Sequence, residues 1–308
     1  MSGGKGCPSV ECPRCVGKEL TPILTPGPTV VAQGSTSAGQ PDVRIDAEEE
    51  TMIDEQQIQR FLDDGAFTMD TPISMDRITA AAGAFDRLIP QQEGRFRSAA
   101  TCNYDDPALI DLIQDPFFEQ ASCRLLDSKA VYFFQTAIIT AFPQPGVEFG
   151  FDQHVDLQYT LSDLEASPRR VTSIFFLWLS DVAEDQAPMM YRPGSHRFLA
   201  AYWETQSELE GEVPRIIGIK LEDLPEFDYA EPQPLLAKAG QASVLTTGMV
   251  HGASVHTGDT PRKALVITFH DADVTIGLPD AQQVAKREYD ATLRRVLPPG
   301  RRHIVRPL

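Results

Sequence analysis

His154-Val155-Asp156 sets an imidazole and a carboxylate two residues apart, in a stretch from Phe149 to Tyr159 that reads as extended. Residues i and i+2 of a strand point to the same face, so one side of the strand can offer a nitrogen and an oxygen ligand to a single metal ion. A second histidine from elsewhere would complete a set of two histidines and one carboxylate with further positions open. That set suits non-haem Fe(II) oxygen chemistry, and it can also bind zinc. His-x-Asp alone is a common accident, so the rest of the chain has to supply the missing parts.

The chain has six histidines: His154, His196, His251, His256, His270 and His303. His251 is the best second ligand. It follows the strand-like stretch 241–249 and precedes another at 263–270, and Gly248 and Gly252 let the backbone approach a site closely. Arg262 lies eleven residues after His251, at the start of the next strand. A guanidinium there can grip a distal carboxylate in a bidentate fork. 2-Oxoglutarate has the matching shape: its C1 carboxylate and keto oxygen can chelate a metal while its C5 carboxylate reaches Arg262. His196 sits in the tight turn after Pro193-Gly194 and reads as structural. His256 is too close to Arg262, His270 has no suitable arginine downstream, and His303 lies in the tail.

The elements that would position these residues change character along the chain. Residues 1 to about 45 are poor in large apolar groups and rich in turn residues, which predicts a disordered or loosely ordered leader. Cys7, Cys12 and Cys15 in that leader have a spacing similar to the opening of a plant-type iron–sulfur set. A Gly-, Pro- and Ser-rich stretch cannot build a shell around a cluster, so these thiols read as incidental. Asp54 can cap a helix with Ile58, Phe61 and Leu62 on one face, which Gly65 ends, and 66–69 can then form a strand. Helical spacing returns over 75–88 and over 107–126. β-rich runs follow at 131–140, 171–179, 242–246 and 263–270, and a last helix at about 280–296. Helices first and short strands later predict one domain over 46–308, mainly β with flanking helices, with a sandwich or jelly-roll core at about 128–275.

Composition narrows the partners. The 308 residues, 42% hydrophobic, can bury one large core. A net charge of −17 argues against a nucleic-acid surface or an anionic membrane. No run of 18 apolar residues and no apolar N-terminal signal segment is visible. Five cysteines, an odd and low count, suit a reducing compartment, so a cytoplasmic location is expected. Oligomeric state is not legible.

Taken in order, the motifs resemble those of the phytanoyl-CoA dioxygenase (PhyH-like) family of Fe(II)/2-oxoglutarate oxygenases, over about residues 50–275. The segments that carry the resemblance are the early helix and glycine from Glu55 to Gly65, Gln153-His154-Val155-Asp156, and Phe176-Leu177-Trp178-Leu179-Ser180-Asp181. Arg192-Pro193-Gly194-Ser195-His196 and Met249-Val250-His251-Gly252 with Arg262 complete it. The resemblance implies a double-stranded β-helix, a cupin-like jelly roll whose mouth holds the metal. It implies Fe(II) on His154, Asp156 and His251, with 2-oxoglutarate and O2 at the open positions. It also implies Gln135 and Trp178 beside the cosubstrate. The implied reaction is oxidative decarboxylation to succinate and CO2, coupled to oxidation of an unactivated C–H bond. Related halogenases have a small residue in place of Asp156, so a carboxylate there implies oxygenation. The family's breadth implies a small-molecule substrate from natural-product biosynthesis.

Phe149, Phe151, Tyr159 and Tyr191 are candidate pocket residues, and the acidic segment 198–238 is expected to cover the mouth where substrate is chosen. One departure is that Gln186-Ala187 stands where family members often carry Asn-Gly. The residues alone leave two alternatives: a zinc-dependent cupin-like hydrolase or isomerase, and a non-catalytic binding module.

Overall fold

Asp54 caps the first helix from both sides. Its carboxylate accepts a hydrogen bond from the Gln57 amide, and the Gln57 side chain accepts one from the Asp54 amide. This reciprocal pair satisfies donors that a helix start leaves free. Helix α1 (Glu55–Asp63) follows, and Gly65, at φ +86°, turns the chain into strand β1 (Ala66–Met69). The molecule is described by a computed structural model over residues 53–158, 171–203, 205 and 215–307. Contacts divide the chain into units Met1–Glu48 and Glu49–Leu308. All described residues belong to the second, so the readings of the leader and of Cys7, Cys12 and Cys15 fall outside them.

Helix α2 (Met75–Leu88) and strand β2 (Arg97–Thr101) come next. The single helical run read over 107–126 is two helices, α3 (Pro107–Ile113) and α4 (Pro116–Leu126). The break has a local cause. Pro116 has no N–H with which to continue the ladder, and the Asp115 carboxylate caps the new helix at the Phe117 amide. Then follow β3 (Val131–Ala141), β4 (His154–Gln158), β5 (Thr172–Trp178), β6 (Met189–Tyr191), α5 (Ser195–Trp203), β7 (Arg215–Lys220), β8 (Gln233–Leu235), β9 (Ala242–Leu245), β10 (His251–Ala253), β11 (Arg262–Asp271) and α6 (Asp280–Val296).

The strands form two antiparallel sheets. Among the described residues, one has six strands in the order β1-β9-β5-β11-β3-β2 and the other five in the order β7-β4-β10-β6-β8. The chain alternates between them, β3 in the first, β4 in the second, β5 back in the first, and this alternation is the double-stranded β-helix. The middle of the six-stranded sheet, β5 and β11, is buried on both sides. Outside, Phe175, Leu177, Leu265, Ile267 and Phe269 pack with Phe85, Phe118, Leu125 and Leu293 of the helices. Inside, Ile174, Phe176, Trp178, Ala264 and Val266 face Met189, Tyr191 and Leu235 of the other sheet. Burial from both faces is why 171–179 reads as a nearly unbroken apolar run. Among the described residues no helix is long and apolar enough to cross a membrane.

Two buried histidines tie this frame together in their neutral form. His196 Nε2–H donates to the Leu62 carbonyl at 2.9 Å, and His270 Nδ1–H donates to the Asp271 carbonyl at 2.7 Å. Burial outweighs these bonds and pushes both imidazoles down to about 4, from an ordinary value of 6.5. The unfolded chain therefore takes up protons as pH falls through 6.5, while the folded protein resists until about 4. The stabilisation is complete above that window and is lost within it. The loss should be about 2–3 kcal/mol per histidine between neutral pH and pH ~4.5. Urea unfolding of metal-free protein at the two pH values checks this. An equally steep loss in a His196→Gln/His270→Gln double variant would count against these two groups.

Candidate metal centre

Strands β4 and β10 pair at one position, His154 opposite His251. Residues directly opposite in an antiparallel pair share a face, so the two imidazoles stand side by side, with ring centroids 4.7 Å apart. The pairing of β4 with β7 shifts between Val155 and Leu157, which places the irregularity at Asp156. Asp156 Oδ1 lies 3.4 Å from His154 Nε2, and Oδ2 lies 3.5 Å from His251 Nε2. Among the described residues, these three form the group able to hold a metal, one donor atom from each lying within 4.8 Å of the others.

The donors are prepared for a cation. His251 is buried, and its Nδ1–H donates to the Met249 carbonyl at 3.0 Å, which fixes the ring with Nε2 toward Asp156. Burial opposes ionisation of Asp156, but hydrogen bonds from His154 and His251 outweigh it and hold the carboxyl well below the usual carboxylate range. Asp156 thus stays ionised and can offer an anionic donor to a cation. Its side chain and that of His154 are 34% and 32% exposed, so the centre opens to one side.

Arg262 stands at the start of β11 with a relative exposure of 2%, and its Nε has no hydrogen-bond partner. Burial, with help from the neighbouring positive charge of Arg97, lowers its pKa to about 10, so it stays charged at neutral pH. A buried cation without an anion is costly. This one borders a cavity of about 400 Å³ lined by Arg97, Phe151, Asp152, Ala253 and Ser254 among others. Ala253 follows His251 by two residues and Asp152 precedes His154 by two, so the cavity begins about 7 Å along the strands from the ligands. A dicarboxylate that ligates the metal can thus reach the guanidinium. The orphaned Nε and the oxygen- and nitrogen-donor set both fit 2-oxoglutarate and Fe(II).

The other residues read from the sequence fall into place unevenly. Trp178 is fully buried, its ring 5.3 Å from the Arg262 guanidinium, and its Nε1–H donates to Ser243 Oγ at 2.8 Å. Gln135 faces the same interior but pairs with Thr268, whose hydroxyl is buried without a partner. That is six residues, about 20 Å, along β11 from Arg262, so the two are not brought together. Phe151 lines the cavity, Phe149 is exposed, Tyr191 is buried among core residues, and Tyr159 lies outside the described residues. Ala187 holds φ +51°, the conformation glycine favours. Arg97 gave no signal in the sequence. It enters the cavity because β2, β3 and β11 align Arg97, Ala141 and Arg262 in one row.

Residues 51–264 match the model of the phytanoyl-CoA dioxygenase (PhyH) family, and the chain belongs to that family. It is a 2-oxoglutarate-dependent non-haem iron dioxygenase, and Fe(II), 2-oxoglutarate and O2 are the cofactors of that class. No curated protein matches the sequence significantly. Among solved structures, the α-ketoglutarate-dependent carbocyclase SnoK from nogalamycin biosynthesis is similar at 18% identity over 80% of this chain and 92% of that one, TM-score 0.51. EctD from S. alaskensis is 17% identical over 74% and 80%, TM-score 0.52. HygX from Streptomyces hygroscopicus, with nickel, 2-oxoglutarate and hygromycin B bound, is 13% identical over 72% and 89%, TM-score 0.53. At these identities the likeness speaks for the fold.

Proposed function

We propose that this protein oxidises, by hydroxylation, an unactivated C–H bond of a small polar metabolite in natural-product biosynthesis. His154, Asp156 and His251 hold Fe(II), and Arg262 takes the distal carboxylate of 2-oxoglutarate. The bound metal and cosubstrate supply the O2-dependent oxidising power and release succinate and CO2. The residues supply placement. Asp156 contributes the anionic ligand and His251 a tautomer fixed by Met249. Trp178 supports the Arg262 guanidinium from one face by a cation–π contact. Arg97 adds a second positive charge to the cavity. Gln135, at the far end of the inner wall, has the least part in this reading.

The observation that carries it is the buried, unpartnered Arg262 facing a cavity that adjoins the ligand row. Replacing Arg262 by Ala removes a charge-assisted fork worth about 1.5–3 kcal/mol, so the KM for 2-oxoglutarate should rise about ten- to a hundredfold. An unchanged KM would remove Arg262 from the site. A visible charge-transfer band on anaerobic mixing with Fe(II) and 2-oxoglutarate separates this reading from zinc chemistry or simple binding.

The substrate side adjoins His154. A second cavity of about 650 Å³ is lined there by Phe151, Asp152, Gln153, Lys220, Leu221 and Glu222. Lys220 pairs directly opposite His154 across β4 and β7. Two carboxylates around one ammonium, on a chain of net charge −17, weigh against an acyl-CoA with its anionic phosphates. They favour a compact substrate bearing its own polar or cationic groups. That HygX holds hygromycin B on the same fold supports a small-molecule substrate. Succinate release across a metabolite panel sorted by charge narrows it further.

A further inference from the structure

The two ligand histidines come from strands that share a single residue pair. Strand β10 is only three residues long, and after His251 its chain meets the β4 segment again through the bridge Phe151–Ser254 and a hydrogen bond from the Val255 amide to the Gly150 carbonyl at 2.8 Å. Before His251, at Val250, it is the turn Arg192-Pro193-Gly194-Ser195-His196 that holds the chain. Both backbone groups of Val250, the residue before His251, are held by it: the Arg192 amide donates to the Val250 carbonyl at 2.9 Å, and Ser195 Oγ accepts from the Val250 amide at 2.9 Å. The side chain of the same arginine reaches the other ligand strand. Arg192 Nε–H donates at 2.6 Å to Oε1 of Gln153, the residue before His154, while Nη1–H donates to the Ala230 carbonyl at 2.9 Å. The turn is itself anchored outside the site, because the Gly194 amide donates to the Asp64 carbonyl at 3.0 Å and His196 Nε2–H donates to Leu62.

We propose that Arg192 is a positioning residue that sets the spacing of the two ligand histidines, by tying Val250 before His251 to Gln153 before His154. This rests on His154, Asp156 and His251 being the metal ligands. The planar fork of arginine suits the task, since two divergent N–H groups serve two acceptors at once; a lysine ammonium keeps the charge but not that geometry. Outer partners that orient metal ligands typically contribute about ten- to a hundredfold in metal affinity.

The test is anaerobic Co(II) titration followed by visible absorption, with thermal melting of the metal-free protein alongside. Arg192→Leu and Arg192→Lys should weaken Co(II) binding about ten- to a hundredfold while the metal-free melting temperature changes little. Gln153→Leu, which leaves the turn intact, should show a similar loss, and Gln153→Glu, which keeps an acceptor for the guanidinium, should restore affinity. If Arg192→Leu fails to fold, Gln153→Leu decides. Wild-type affinity in Gln153→Leu, or a loss in Gln153→Glu equal to that in Gln153→Leu, overturns the positioning role. A wild-type protein that binds no Co(II) overturns the metal reading and this inference with it.

Discussion

Asp156→Ala protein should fold and melt like the wild type but release no succinate above background. The carboxylate is the only anionic donor in the ligand group, and it sits between the two histidines at 3.4 and 3.5 Å. Without it two neutral imidazoles remain. The loss should exceed ~100-fold, the upper end of what removing an outer partner of a ligand costs. Stability should change little, because the side chain is one-third exposed. Succinate assays with Fe(II) and 2-oxoglutarate, next to circular dichroism, read both halves. A variant retaining turnover would sink the assignment of Asp156 as a ligand.

Gly252→Ala should be as damaging from a position that binds nothing. A methyl group on Gly252 would overlap the Asp152 carbonyl oxygen and come within 2.6 Å of the carbonyl carbon. These are backbone atoms on the approach to β4, so no side chain can swing aside. One strand has to move, and the pair that joins β10 to β4 is His251 with His154. Overpacking of this kind costs about 1–3 kcal/mol in a core, and here the displacement falls directly on the ligand spacing. Loss of the Fe(II)/2-oxoglutarate charge-transfer band and a lowered melting temperature are expected. Gly300→Ala, where nothing lies within 4 Å, should leave both unchanged. A normal band in Gly252→Ala would mean the two strands tolerate more separation than the pairing implies.

Most helices and five strands of the six-stranded sheet were legible because their residues repeat a pattern over many positions; the edge strand β2 and helix α5 were not read. Met75–Leu88 and Asp280–Val296 carry long amphipathic spacing, and Thr172–Trp178 is buried on both faces. The five-stranded sheet was mostly silent. Strands β6, β8 and β10 have three residues each, too few to establish a period. The 107–126 run misled because its apolar stripe continues through Asp115-Pro116, and only the cap and the proline mark the break. At the site, His154, Asp156, His251 and Arg262 could be read by residue type and spacing. Arg97 and Arg192 could not. Both act through tertiary geometry, one by the alignment of three strands and the other by two hydrogen bonds spanning Gln153 and Val250.

The proposed metal ligands and Arg262 stand on different sheets. His154, Asp156 and His251 belong to β4 and β10 of the five-stranded sheet, and Arg262 belongs to β11 of the six-stranded one. A molecule gripped at one end by the metal and at the other by Arg262 is therefore a brace across the sandwich. Breathing of the two sheets and escape of the cosubstrate become a single motion, resisted by the same contacts. Saturation with 2-oxoglutarate would then stiffen the whole barrel, and a substrate arriving afterwards would meet a mouth whose width the cosubstrate has already set.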